Sequence, residues 1–197
     1  FSTMNLKNAA ISGTKWTTLS SISLVAVQII KISVLVRFLS KSDFGLIAIV
    51  FFVLEFANLF MSSGLSIGIL HKQKISKKEY SSIFWLNLLI SIMLYLIIIA
   101  VAPIVSYLYS EEQLTLLIYY MGLSIVIFAV GTQFKTIEEK ELNFKFIALV
   151  NITSNIISLI FAIVLAIKGY GVYALVFSAL LQYSISNLIF FVNGLAS

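Results

Sequence analysis

Two charged side chains, Lys31 and Glu55, lie inside stretches of sequence that are otherwise almost entirely apolar. A charge at the centre of a bilayer costs on the order of 3 kcal/mol on insertion scales, so a charge retained there indicates a role. We expect both residues in the middle or outer half of a membrane, within a lysine's length of each other if their helix faces match. The pair indicates either a cavity that handles charge, such as a substrate phosphate or a coupling ion, or a structural ion pair between two helices. Arg37 is expected to extend to the outer interface.

Uncharged polar side chains recur at helical spacing in five apolar segments, which gives each of these helices one polar face. We interpret these faces and the charges as the lining of a shared polar interior. The predicted lining residues are Lys31, Arg37, Glu55, Gln28, Asn58, Asn87, Asn151, Asn155 and Gln182. The alternative for each stripe is hydrogen bonding between helices without a cavity, worth about 0.6 kcal/mol per contact.

Six segments that are long enough to cross a membrane must position these side chains. An α-helix needs about 20 apolar residues to span a hydrocarbon core of roughly 30 Å. Hydrophobic residues make up 60% of the 197 residues and charged residues 11%, which leaves almost nothing for a water-soluble domain. The sequence therefore predicts an all-α integral membrane protein, a bundle of six transmembrane helices. The predicted helices are 14–38, 44–70, 81–108, 114–134, 146–167 and 171–193.

The basic residues are distributed unevenly between the two sides of this predicted bundle. Nine lie in the N-terminal segment and in loops 71–80 and 135–145, against three in the loops of the other side. The positive-inside rule then places both termini and both of these loops in the cytoplasm. Topology, and not nucleic-acid binding, accounts for the net charge of +5.

The loop 135–145 alternates loosely between apolar and charged residues. This pattern predicts a short amphipathic helix on the cytoplasmic surface. The alternative is a solvated charged linker.

Several classes of function are excluded by what the sequence lacks. It contains no cysteine, one histidine and no loop much longer than about ten residues, so a metal site or a nucleophile–base pair has nowhere to assemble. It has no glycine-rich phosphate loop with the lysine that nucleotide-binding chains carry, so the chain does not bind ATP in that manner. We therefore expect neither an enzyme nor a bound cofactor or metal.

Four motifs occur in order along nearly the whole chain. They are LSKSDFGL at 39–46, the run from GLS at 64–66 through SSIFWLN at 81–87, EKELNFK at 139–145 and GYGVYAL at 169–175. In this order and spacing they resemble the bacterial polysaccharide transporter family. These are Wzx-like flippases of lipid-linked oligosaccharides, in the superfamily that also holds the multidrug and toxin extruders. The likeness covers the N-terminal half of such a protein only.

The resemblance implies an architecture of two six-helix lobes that rock about a central cavity by alternating access. Residues 1–197 would form the single N-terminal lobe, and the C-terminal lobe, its expected partner, would be absent. The substrate would be an undecaprenyl-pyrophosphate-linked oligosaccharide that crosses the bacterial plasma membrane for the synthesis of O-antigen, capsule or exopolysaccharide. Lys31 first and Arg37 second would attract the pyrophosphate, the polar stripes would face the sugars, and the undecaprenyl tail would stay in the membrane lipid.

Two other functions remain open from the sequence. One is a cation-coupled exporter of drugs or metabolites with the same fold, in which Glu55 would be the coupling carboxylate. The other is a membrane scaffold or assembly subunit that transports nothing.

Overall fold

The computed structural model describes the backbone of residues 3–62 and 77–196 and the side chains of residues 13–57, 59 and 81–194. Within these ranges the chain is helical apart from short turns. The helices are α1 (Thr3–Leu35), α2 (Lys41–Ser62), α3 (Lys77–Tyr109), α4 (Gln113–Lys140), α5 (Phe144–Ile167) and α6 (Val172–Ala196). Residues 63–70, the last part of the predicted second span, lie outside the described residues.

Five of these helices contain a segment long and apolar enough to cross a membrane, by length and composition. The segments are Gly13–Leu35, Ser81–Tyr109, Gln113–Lys140, Phe144–Ile167 and Val172–Gly194. The predicted all-α membrane bundle is therefore confirmed, and the protein is a multi-pass membrane protein.

Three connections between helices are turns of one kind, each centred on a residue in the left-handed region. These residues are Ser110, Leu142 and Gly169, with φ angles of 53°, 60° and 80°. In each turn the next N–H bonds back to a carbonyl five residues earlier, from Glu111 to Ser106, Asn143 to Glu138 and Tyr170 to Leu165. This Schellman geometry satisfies carbonyls at the helix end and reverses the chain within a few residues. Successive helices from α3 to α6 therefore run antiparallel.

The charged segment after residue 134 is part of α4 and not a separate surface helix. α4 continues without a break to Lys140, and the turn at Leu142 leads directly into α5. Charged residues of types that favour helices fill this segment, without glycine or proline, so nothing in it ends the helix earlier. Thr136 and Glu138 are buried within it. The prediction of a short amphipathic surface helix is wrong.

Helices α4 and α6 form the centre of the bundle, with α3 against α4, α5 against α6 and α1 outermost against α5. Glycines allow the central helices to approach closely. A Cβ atom added at Gly131 of α4 would lie 2.6 Å from the Cα atom of Asn187 in α6, and one at Gly122 would lie 2.9 Å from the Tyr95 ring of α3. Small residues at such crossings permit the close packing on which helix association in a bilayer depends.

Helix α2 begins at a reciprocal cap and lies across α3, α4 and α6, with less extensive contacts. The Ser40 N–H and hydroxyl both donate to the Asp43 carboxylate at 2.8 Å, and the Asp43 N–H donates to the Ser40 hydroxyl at 3.2 Å. This capping box fixes where the helix starts.

Candidate functional site: a cavity beside α4

A cavity of about 540 Å³ lies between α2, α3 and α4, with one side chain from α6. Its volume falls in the range of small-molecule sites, roughly 300 to 1,000 Å³. It is lined by Phe51, Leu54, Glu55, Leu59, Asn87, Met121, Ser124, Ile125, Phe128, Thr132, Lys135, Thr136, Glu139 and Tyr183. We refer to it as the α4 cavity.

One face of α4 supplies most of this lining. The residues from Met121 to Glu139 recur every three or four positions, which is the spacing of a single helical face. At 1.5 Å per residue the face extends about 27 Å along the helix axis. The α4 cavity therefore reaches from the interior of the bundle to the end of α4 that carries Lys135 and Glu139.

The serine, threonine and asparagine side chains of the lining donate hydrogen bonds to backbone carbonyls. The Ser124 hydroxyl donates to Met121 at 2.6 Å and Thr132 to Phe128 at 2.6 Å, while Thr136 donates to Thr132 at 2.9 Å. An amide N–H of Asn87 donates to the Ala129 carbonyl at 3.4 Å, which joins α3 to α4. A hydroxyl has one hydrogen and two lone pairs, so these groups retain acceptor capacity after donating.

Three charged side chains line the α4 cavity. The Lys135 ammonium and the Glu139 carboxylate lie 3.6 Å apart one helical turn from each other, and each side chain is about one-third exposed. Glu55 faces the cavity from α2 and is solvent-accessible. Within the part of the chain that the structure describes, Glu55 has no basic side chain within ion-pair distance. Its position is 14 residues after Lys41, about 21 Å along α2.

Lys31 lies elsewhere in the bundle, between α1 and α5. Its ammonium donates to the Ser158 hydroxyl at 3.3 Å, and that hydroxyl donates to the Ser178 carbonyl at 2.7 Å. Lys31 is only 6% exposed, while Ser158 and Ser178 are completely buried. We refer to these three residues as the Lys31 cluster, which joins α1, α5 and α6.

The ion pair between Lys31 and Glu55 that the sequence suggested is not formed. Because α1 packs against α5, the face that carries Lys31 is turned toward Ser158 and away from α2. At Lys31, the polar face of α1 matches the alternative that the sequence left open, which is hydrogen bonding between helices without a cavity.

The structure separates the other predicted lining residues. Asn87 joins Glu55 in the α4 cavity, but Asn151, Asn155 and Gln182 lie partly or fully buried on α5 and α6, outside its lining. Gln28 is exposed on α1, and Arg37 is exposed in the turn after it. The side chain of Asn58 lies outside the described residues.

Glu138 is the buried neighbour of Glu139 and has a structural role. Its carboxylate accepts hydrogen bonds from the Asn143 amide at 2.6 Å and the Asn193 amide at 2.7 Å. These contacts fasten the turn between α4 and α5 to the last turns of α6. Although Glu138 and Glu139 are adjacent on one helix, Glu138 therefore contacts the turn and α6, while Glu139 lines the α4 cavity.

Sequence analysis missed the α4 residues of the cavity, since it assigned polar stripes to the other five helices. The signal was present, because Ser124, Phe128, Thr132, Lys135 and Glu139 follow helical spacing. The prediction ended this helix at residue 134 and assigned Lys135 and Glu139 to a loop. The polar face was therefore divided between a helix and a loop.

Comparisons with known proteins give one consistent family. The family model described as polysaccharide biosynthesis protein matches residues 34–194. The chain is 27% identical over 186 residues to an uncharacterized membrane protein in the cps region of Klebsiella pneumoniae, covering 94% of this chain and 38% of that protein. It is 23% identical to the teichuronic acid biosynthesis protein TuaB of Bacillus subtilis, over 91% of this chain and 37% of TuaB.

A third relative is named as a transport protein. The chain is 25% identical over 160 residues to the succinoglycan biosynthesis transport protein ExoT of Rhizobium meliloti, covering 81% of this chain and 32% of ExoT. The chain thus spans about a third of the length of these curated relatives. No solved structure matches it. Since the family model covers most of the helical bundle, the chain belongs to the polysaccharide biosynthesis protein family.

Proposed function

We propose that the protein is a flippase that moves undecaprenyl-pyrophosphate-linked oligosaccharide across the bacterial plasma membrane, and that this chain forms the N-terminal six-helix lobe. The observation that carries the proposal is the α4 cavity, a polar and charged space within a membrane bundle of this family. The name of ExoT, a biosynthesis transport protein, supports transport. A second lobe would complete the cavity, since the relatives are about two and a half times as long as this chain.

A glycan crossing the bilayer needs a path lined with hydrogen-bonding groups, because polar groups are costly to place in hydrocarbon. The α4 cavity offers such groups along about 27 Å of helix. The undecaprenyl tail would remain in lipid beside the lobes. Arg37, which is exposed at the end of α1, stays a candidate contact for the pyrophosphate.

A transporter fits the chain better than an enzyme. In the part of the chain that the structure describes, the charges of the α4 cavity comprise one ion pair and one further carboxylate, its hydroxyls donate to backbone carbonyls and not to a base, and no metal-ligand cluster is present. The sequence has no phosphate-binding loop for ATP. Transport would therefore be driven by an ion gradient or by consumption of the product on the far side.

We propose that both ends of the chain and the turn between α4 and α5 face the cytoplasm, because basic residues predominate there. The chain has no cysteine, so single cysteines report position without background. A membrane-impermeant thiol reagent applied to intact cells should label Glu112→Cys and not Glu141→Cys, two exposed positions at opposite ends of α4. A permeant reagent should label both. The reverse pattern would invert the proposed orientation.

The transport proposal is tested with the intact gene product in proteoliposomes that contain a fluorescent lipid-linked oligosaccharide. We expect the protein to move the labelled glycan across the membrane in a manner that requires the pyrophosphate link. Efflux of a cationic dye driven by a cation gradient, with no movement of the lipid-linked glycan, would favour the cation-coupled exporter. Movement of neither cargo, although the protein folds and assembles with other proteins, would favour the scaffold.

A further inference from the structure

The described lining of the α4 cavity offers more hydrogen-bond acceptors than free donors, although the Tyr183 hydroxyl and the second amide hydrogen of Asn87 remain as donors. Ser124, Thr132 and Thr136 each direct their hydroxyl hydrogen to a backbone carbonyl, and Asn87 directs an amide hydrogen to Ala129. What these hydroxyls present to the cavity is lone pairs. A ligand that supplies donors of its own therefore fits this lining best.

The charges of the lining also favour a ligand that supplies hydrogen-bond donors. Among the residues that the structure describes, they comprise one cation, Lys135, and two carboxylates, Glu55 and Glu139, which gives these three side chains a net charge of −1. Lys135 is engaged by Glu139 at 3.6 Å, so the cation is already compensated. Glu55 remains as a carboxylate without a basic partner in the described residues, on a wall that includes the Phe51 and Phe128 rings. Carboxylates accept hydrogen bonds and repel anions, and they do so more strongly where water is restricted.

Two parts of the proposed substrate differ in what they offer to such a lining. A pyrophosphate carries only acceptors and negative charge, and a uronic acid adds a carboxylate to the hydroxyls of its ring, whereas the hydroxyls, N-acetyl amides and ammonium groups of neutral and amino sugars supply donors without negative charge. The apolar faces of sugar rings also pack on aromatic side chains, of which the cavity has Phe51, Phe128 and Tyr183.

We infer that the α4 cavity binds the glycan part of the substrate through its donors, prefers neutral and amino sugars, and excludes the pyrophosphate and acidic sugars. This inference rests on the proposed function. Glu55 is the residue that sets the preference, since it is the carboxylate that no described lysine or arginine compensates. The pyrophosphate is then held outside this cavity.

The inference is tested by isothermal titration of the intact gene product in nanodiscs with three soluble probes. These are a trimer of N-acetylglucosamine, a trimer of glucosamine and a trimer of galacturonate. We expect the neutral and amino trimers to bind and the acidic trimer to bind more weakly. Replacing Glu55 by Gln should strengthen binding of the acidic trimer by about tenfold, weaken the amino trimer by a similar factor and leave the neutral one unchanged.

Two further measurements give matched controls. Glu112→Gln removes an exposed carboxylate at the opposite end of α4 and should change none of the three affinities. Lys135→Gln removes the cation of the ion pair and should weaken the acidic trimer further. If Glu55→Gln does not fold, the wild-type protein still gives a test, because raising the salt concentration should reduce its discrimination between acidic and amino trimers.

The outcomes separate this inference from the proposed function. If the acidic trimer binds as well as the neutral one, or Glu55→Gln leaves their ratio unchanged, the charge selection is wrong while glycan binding stands. If no trimer binds although the lipid-linked glycan is transported in proteoliposomes, the cavity is not the glycan site and the proposed function stands. Absence of transport in that assay contradicts the proposed function itself.

Discussion

The Lys31 cluster and the α4 cavity are both polar, yet the two regions satisfy their polar groups in different ways. In the Lys31 cluster, two successive hydrogen bonds cross between helices, from Lys31 to Ser158 and from Ser158 to the Ser178 carbonyl. In the α4 cavity, the hydroxyls bond to carbonyls of their own helix and leave acceptors facing open space. A polar stripe in a membrane helix is therefore as compatible with helix packing as with a binding site.

The difference predicts separate consequences for mutation. Changes in the Lys31 cluster should alter stability, because its groups are buried and paired across helices. Changes in the α4 cavity other than at Asn87, which bonds across to α4, should alter transport at nearly constant stability, because those groups are accessible or paired within one helix.

Filling the α4 cavity should have the largest effect. Thr132→Trp places an indole in the middle of the lining face and is expected to abolish transport of the lipid-linked glycan in proteoliposomes. The control is Leu123→Trp, which adds the same side chain at an exposed position of α4 outside the lining. The control should transport normally. Equal activity of both variants would show that the α4 cavity is not the path.

Glu138 and Glu139 are adjacent on the same helical turn, but the first carboxylate is buried and the second is partly exposed. Substituting each in turn therefore compares the two environments. Glu138→Gln replaces an acceptor oxygen by an N–H₂ group that faces the amides of Asn143 and Asn193. We expect it to lower the free energy of unfolding by about 1.5 to 3 kcal/mol. Glu139→Gln, the matched control, should cost about 1 kcal/mol or less, because its ion pair is partly exposed. Denaturation of the purified proteins in mixed micelles measures both, and equal losses would contradict the assignment.

Removing the hydroxyl at the centre of the Lys31 cluster should have the next largest effect on stability. Ser158→Ala leaves the Lys31 ammonium without its described hydrogen-bond partner and the Ser178 carbonyl without its donor from α5. The same denaturation measurement should show a loss of about 1 to 2 kcal/mol.

Lys31→Met completes a double-mutant cycle with Ser158→Ala. Methionine retains most of the side-chain volume and brings no charge, so the single change should cost less than about 1.5 kcal/mol. The double variant should be more stable than Ser158→Ala, because the unpaired ammonium is gone. If Lys31→Met abolishes transport at normal stability, Lys31 has a role in the substrate path that its position in the structure does not reveal.

The ion pair at the end of the α4 cavity should contribute least to stability. Lys135 and Glu139 are one-third exposed and one helical turn apart, and such pairs are worth about 0.3 to 0.5 kcal/mol. A double-mutant cycle of Lys135→Gln and Glu139→Gln should give a coupling in this range. A coupling several times larger would show that the pair is shielded from water in the membrane.

Much of the architecture was predictable because the membrane constrains it. Apolar length located the third to sixth spans to within a few residues at most ends. Among these four spans the largest error was at the end of α4, where the charges of 135–141 suggested a surface segment. Helix continuation depends on backbone hydrogen bonding and on the burial of Glu138 by Asn143 and Asn193, which sequence spacing does not show.

The candidate site was predictable only in part. Glu55 and Asn87 were identified, since a charge or an amide in an apolar segment is visible in the sequence. Ser124, Thr132 and Thr136 were not, because a hydroxyl in a membrane helix can bond to its own backbone and is a weak signal. Lys31 was joined to Glu55 on the assumption that consecutive helices face each other, whereas α1 packs on α5.

By itself, the sequence determined that the chain is a helical membrane protein, where most of its helices lie, and which charges are unusual for a bilayer. These properties follow from the cost of placing polar groups in hydrocarbon, which acts on each segment separately. Only the tertiary structure decided which polar faces meet one another and which line open space. Helix pairing depends on the fit of small residues such as Gly131 and Gly122 against their neighbours, a property of two surfaces together. For this reason Lys31 and Glu55, alike in the sequence, lie in two different environments.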